Sequence, residues 1–146
     1  MMGPAEAIGT CLNRYAGFSG RARPSEFWWF AGFVALGVAA FGVLDGALGF
    51  EPLATLPERV QPRDGVVPLF EYQAPGPIAG GFLAAMLLPL VAAAVRRLHD
   101  RGMDGWWLVA VILPVAGWIV LATFLALGGD EEENLHGLPP GVATGG

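Results

Sequence analysis

Three stretches without a single Asp, Glu, Lys or Arg, at residues 27–44, 72–95 and 105–129, constrain this chain more than any other feature. The hydrocarbon core of a bilayer is roughly 30 Å thick and takes about 20 helical residues to cross. Each stretch meets or nearly meets that length, and in lipid each must be helical, because an unpaired backbone group there is very costly. The first, FWWFAGFVALGVAAFGVL, is the shortest, and it can continue past Asp45 toward Phe50. Composition agrees, with 54% hydrophobic and 14% charged residues, where a soluble domain carries about a quarter charged. The mean hydropathy is +0.54. A soluble core built from 146 residues has no room for so much apolar surface.

The expected fold is therefore an all-α membrane protein, with three transmembrane helices preceded by a short amphipathic interfacial helix. The boundaries are an interfacial helix at 4–16, spans at 27–48, 77–98 and 105–128, an external loop at 51–76 and an external acidic tail at 129–146. Ile8, Cys11, Leu12 and Tyr15 recur at helical spacing, which gives the leader its apolar face. Pro24 suits the first turn of the first span, with Glu26 favoured by the positive helix end. Prolines crowd the first loop, where Val66–Tyr72 reads as a short extended piece. A cleaved signal peptide competes for the first stretch, since Ala47-Leu48-Gly49 loosely resembles a cleavage site. Its apolar run is longer than the usual one of about 7 to 15 residues.

Arginine placement orients the thread. Arg14, Arg21 and Arg23 precede the first span and Arg96, Arg97 and Arg101 follow the second, against Arg59 and Arg63 in the first loop. This predicts a cytoplasmic N-terminus and an external C-terminus. Pro114 and Gly117 leave one alternative open, a re-entrant hairpin in place of the third span that returns the tail to the cytoplasm. The net charge of -5 owes much to the run Asp130 to Glu133, read as a solvated tail segment. With all eight basic residues arginine and no basic patch, nucleic acid is not an expected partner. The lone Cys11 excludes an internal disulfide.

The densest polar sequence runs from Arg96 to Trp107. Gly102 is expected to stop the second span and Asp104 to cap the third, with Trp106 and Trp107, like Trp28 and Trp29, as interfacial anchors. The candidate polar cluster is Arg21, Arg23, Glu26, Arg96, Arg97, His99 and Asp100. In it Glu26 pairs with Arg96 or Arg97 and Asp100 restrains His99, while the other guanidinium and Arg21 are left for anionic lipid phosphates. No catalytic nucleophile lies near in sequence, His136 is expected across the membrane from His99, and no metal-ligand set is present, so no catalytic, metal or cofactor-binding residue is assigned.

Tyr15, Phe18, Gly20 to Arg23 and Glu26 to Trp28, then Arg96-Arg97-Leu98-His99-Asp100 with Gly105-Trp106-Trp107, then Asn134, Gly137 and Pro140, together resemble the bacterial inner-membrane family called domain of unknown function 805. The resemblance implies a small multi-pass inner-membrane protein and carries no established activity or cofactor. The favoured reading is a non-enzymatic membrane protein that binds anionic headgroups or a membrane partner, including a second copy of itself. The alternatives are a subunit of an oligomeric small-solute channel or exporter, and a membrane-surface enzyme acting on a phosphorylated lipid.

Overall fold

The computed structural model describes residues 2–53 and 74–141. Most of the expected external loop, including the extended piece at Val66–Tyr72, lies outside the described residues, as does the end of the tail. Among the described residues the fold is helical: α1 is Pro4–Asn13, α2 Pro24–Ala47, α3 Pro77–His99 and α4 Ala116–Ala126, with a 3-10 helix at Gly105–Ile112 before α4. The chain divides into two compact units, one of Met1–Phe33 with Met86–Gly146 and one of Val34–Ala85.

Both α2 and α3 are long and apolar enough to cross a membrane. At 1.5 Å per residue they measure about 36 and 35 Å, a little more than the roughly 30 Å hydrocarbon core. An apolar helix belongs in a core or in lipid, and α2 exposes Leu36, Val43 and Leu44. In the Val34–Ala85 unit, the end of α2 is closed by a Schellman motif. Phe50 N–H donates to the Asp45 carbonyl at 2.9 Å and Gly49 N–H to Gly46 at 3.2 Å, with Gly49 at φ 73 supplying the left-handed turn. Asp45 itself is buried, and its carboxylate accepts from the backbone N–H groups of Ile78 at 3.0 Å and Ala79 at 2.9 Å. A charge that interrupts the first apolar run thus caps the N-terminus of α3.

The other unit holds the main departure from expectation. The span expected at 105–128 is divided into the 3-10 helix and α4, and neither reaches across a bilayer alone. At rises of 2.0 and 1.5 Å per residue each arm is about 16 Å long. The break follows from Pro114, which cannot donate and holds Leu113 extended at φ -86, ψ 103. Val115 then takes φ 63, ψ -65, and Ala116 N–H donates to the Pro114 carbonyl at 2.8 Å. That is a γ-turn of the strained, positive-φ kind, unusual for a β-branched residue. The Trp118 indole N–H donates to the Val111 carbonyl at 3.0 Å across the break. Gly117, Leu121 and Leu125 form the buried stripe of α4. At Gly117 any Cβ would overlap the Ala110 carbonyl, so the two arms close on the bare backbone.

A leader helix is present as α1, which ends at Asn13 and buries Ala7 and Cys11; of the expected apolar face only Cys11 is buried, while Leu12 and Tyr15 are exposed. Helix α3 ends in a second Schellman motif, with Gly102 at φ 65 and Met103 N–H donating to the Leu98 carbonyl at 3.1 Å. Asp104 occupies the N-cap position of the 3-10 helix but makes no side-chain capping bond.

Gly117→Ala should separate the hairpin arms and destabilise the protein by about 1–3 kcal/mol, the usual scale of overpacking. The check is the thermal unfolding midpoint in lipid nanodiscs, with the neighbouring Ala116→Gly as a control that leaves the arms in contact.

Candidate functional site

The last turn of α3 and the residues just after it carry Arg96, Arg97 and Asp100, and all three are buried. Burying guanidinium groups is tolerable only where most of their N–H groups meet acceptors, as both Nη nitrogens of Arg96 do although its buried Nε does not. Arg96 Nη2 donates to Glu26 Oε1 at 2.9 Å, and Nη1 donates to the carbonyls of Gly17 at 2.6 Å and Arg14 at 3.4 Å. Those two carbonyls lie just past the end of α1, so Arg96 joins the leader to the first turn of α2. The backbone adds a bond from Ala22 N–H to the Arg96 carbonyl at 3.0 Å.

Arg97 does for α4 what Arg96 does for α1. Its Nε donates to the Leu125 carbonyl at 3.2 Å and its Nη2 to Leu127, at the negative end of the α4 dipole. Its Nη1 donates to Asp100 Oδ2 at 2.5 Å. The other oxygen of the same carboxylate, Oδ1, accepts from Arg21 Nε at 2.8 Å. Arg21 then uses its remaining four N–H groups on backbone: Nη1 on Glu132 at 2.8 Å and Gly137 at 3.2 Å, Nη2 on Asp100 at 3.2 Å and on Asp130. All five of its donors are engaged.

The tail, expected across the membrane from these arginines, instead bonds to them. Asp130 N–H donates to the Asp100 carbonyl at 2.8 Å. Arg23 donates to the Pro140 carbonyl from Nε at 3.2 Å and Nη2 at 2.9 Å. Asn134 Nδ2 donates to the His99 carbonyl at 3.0 Å, and the His99 and His136 rings stack at 3.9 Å between centroids. At Gly129 a side chain would overlap the Asp100 carboxylate, so only glycine lets the tail pass.

Two finer expectations are corrected by this geometry. Asp100 engages Arg21 and Arg97, not His99, and Arg21 has no donor left over for a phosphate. Glu26 takes Arg96 of its two possible partners. Of the aromatic anchors, Trp28, Trp29, Trp106 and Trp107 are all exposed to different degrees, and Trp28 also donates to the Leu125 carbonyl at 3.3 Å. Sequence reasoning missed Asp130, Asn134, Gly137 and Pro140 as members of the site. Three of them were visible as shared motif positions, but their acceptors are mostly carbonyls that residue type does not reveal.

Cys11 lies beside the Glu26–Arg96 pair, with Sγ 3.9 Å from Glu26 Oε1 and from Arg96 Nη2. Burial, reinforced by the Glu26 charge and opposed by Arg96, pushes its thiol from 9.0 up to about 11. The thiol is therefore protonated at neutral pH and is a poor nucleophile.

The family model described as Protein of unknown function (DUF805) matches residues 15–138. The chain belongs to this family. The DUF805 match covers α2, α3, the 3-10 helix, α4 and the tail as far as Leu138. The Inner membrane protein YhaI of Escherichia coli K12 is 33% identical over 129 residues, covering 88% of this chain and 90% of that protein. The Inner membrane protein YhaH of the same strain is 30% identical over 129 residues, covering 88% and 91%. No solved structure matches the chain.

Asp100→Asn should be more damaging than Glu26→Gln, because it strands two buried guanidinium groups instead of one. A loss of about 3–5 kcal/mol is the scale for breaking a buried pair. Glu26→Gln and Arg96→Gln should be strongly non-additive in thermal stability, whereas Glu26→Gln and Arg97→Gln should be closer to additive. For Cys11, the folded state holds the proton up to about 11 and the unfolded chain only to 9.0, so stability falls as pH rises through that window. Maleimide labelling at pH 8 should be about a hundredfold slower in the folded protein than in denaturant, by thiolate fraction alone.

Proposed function

We infer that this member of the DUF805 family is a non-enzymatic inner-membrane protein in which the arginine cluster is an internal latch. The observation that carries this reading is the saturation of Arg21, every N–H of which meets Asp100 or a tail carbonyl. Groups used so fully inside the fold are unavailable to substrate or headgroup. The latch joins leader, spans and tail into one polar cap, a rigid platform for a membrane partner. A face of α2 carrying exposed Ala35, Ala39, Gly42 and Gly46 supports close docking of another helix, from such a partner or a second copy.

The threading that accommodates the latch is two spans followed by a re-entrant hairpin. Two arms of about 16 Å reach together only to the middle of a bilayer and return. Leader, 102–105 turn and tail then share one side, and the positive-inside bias of Arg14, Arg21, Arg23, Arg96, Arg97 and Arg101 makes it the cytoplasm. α1 lies along that surface.

Reporter fusions test this directly. A reporter after Gly146 and another in the 102–105 turn should both be active only inside the cytoplasm, and one in the 54–73 segment only outside. An external tail in the intact protein overturns the hairpin. The latch reading further expects the unfolding midpoint to be the same in nanodiscs with and without phosphatidylglycerol, while a headgroup site would raise it with anionic lipid.

A further inference from the structure

Where the tail meets the end of α3, two imidazoles lie face to face. The rings of His99 and His136 are 3.9 Å apart between centroids and 3° from parallel. One amide sets that register: Asn134 Nδ2 donates to the His99 carbonyl at 3.0 Å, and Asn134 Oδ1 accepts from the His136 backbone N–H at 2.9 Å. His99 Nδ1 and His136 Nε2 are buried, and neither has a hydrogen-bond partner. The next residue, Gly137, gives its carbonyl to Arg21 Nη1 at 3.2 Å. The stack therefore lies inside the latch, where the tail closes it.

Charge reaches the pair from each element that meets there. From the turn after α3, Asp104 Oδ1 stands 3.9 Å from His136 Nε2, and the same carboxylate acts on His99. From the entry to α2, the Gly20 carbonyl faces His99, while Arg21 is taken up by Asp100 and the tail carbonyls. At the end of α3, Arg96 and Arg97 are paired with Glu26 and Asp100. Arg101, whose guanidinium lies 5.5 Å over the Phe124 ring of α4, adds a positive charge to the same turn. From the tail, Asp130 Oδ2 accepts from Asn134 Nδ2 at 3.1 Å. Asp104 can balance one imidazolium. A second would face the first across 3.9 Å, and like charges so close disfavour each other. The docked pair thus holds one proton fewer than an undocked one, in which both rings reach water.

We propose that the His99–His136 stack makes the latch acid-sensitive, with the tail docked while the pair carries at most one charge and released when both rings are protonated. The proposal rests on the latch reading and adds its regulation. Because the undocked state binds the extra proton, docking is strongest above the ordinary imidazole range, near about 6.5, and weakens as pH falls through it. One proton of difference raises the undocked fraction about tenfold between pH 7.5 and 5.5.

Hydrogen exchange of the full chain in nanodiscs at those two pH values, with labelling times scaled for the intrinsic rate, tests this. At pH 7.5 the 130–137 segment should exchange slowly, and at pH 5.5 about tenfold faster, with α2 and α3 unchanged. His136→Phe, which keeps an aromatic face without a charge, and separately His136→Gln should exchange at the slow rate at both pH values. Glu131→Gln should keep the acid response, which separates the imidazoles from the acidic run. A wild-type tail equally protected at both pH values overturns the proposal and leaves the latch standing; one unprotected at both overturns the latch itself. An acid response that survives in either His136 variant also overturns the proposal, as does fast exchange at both pH values in both variants, since a charge-free partner then fails to hold the tail.

Discussion

A single carboxylate, that of Asp100, holds two guanidinium groups out of water, and the polar end of the protein is arranged around it. Arg97 on one oxygen reaches the end of α4; Arg21 on the other reaches the tail. Neither arginine could be buried without that charge, because desolvating a cation costs several kcal/mol even after the surroundings relax. The Glu26–Arg96 pair repeats the device at the end of α1. The two carboxylates do not neutralise three guanidinium groups by themselves. Helix-end and tail carbonyls, already electronegative and lacking partners, provide the rest.

This arrangement explains why arginine occupies these positions. A planar fork with donors on three nitrogens can serve a carboxylate and several carbonyls at once, as Arg21 does. A lysine carries the same charge on one nitrogen and cannot span the separation between Asp100 and Gly137. The placement of arginines that predicts the orientation and the ion-pair network of the structure thus draw on the same residues for different reasons, one through the sign of charge and the other through its shape.

Much of this was legible in the sequence. The three uncharged stretches marked two apolar helices, and Pro24, Glu26 and Gly102 marked helix ends that the structure has at or near those places. Hydropathy could not separate a span from a hairpin in the third stretch, because both are apolar over the same length. Pro114 and Gly117 raised the alternative, and the break between the two arms rests on a γ-turn at Val115 and on the absence of a Cβ beside Ala110. The tail was read from its side chains as a solvated acidic run. Its side chains are indeed exposed at Glu131, Glu132 and Glu133, while the backbone beneath them docks. Backbone acceptors are common to all residues, so composition is silent about them.

The chain order of the latch has a consequence for how the protein is made. Arg21 and Glu26 emerge from the ribosome first, Arg96, Arg97 and Asp100 much later, and the carbonyls of Leu125, Asp130 and Gly137 later still. From the emergence of Arg97 and Asp100 until the tail follows, the charged ends of α2 and α3 lack the acceptors that make burial tolerable. Water and headgroups must solvate them until the tail arrives. Closure of the polar cap is therefore a late step in the making of the chain, and it hides a basic surface that is hydrated until the tail arrives.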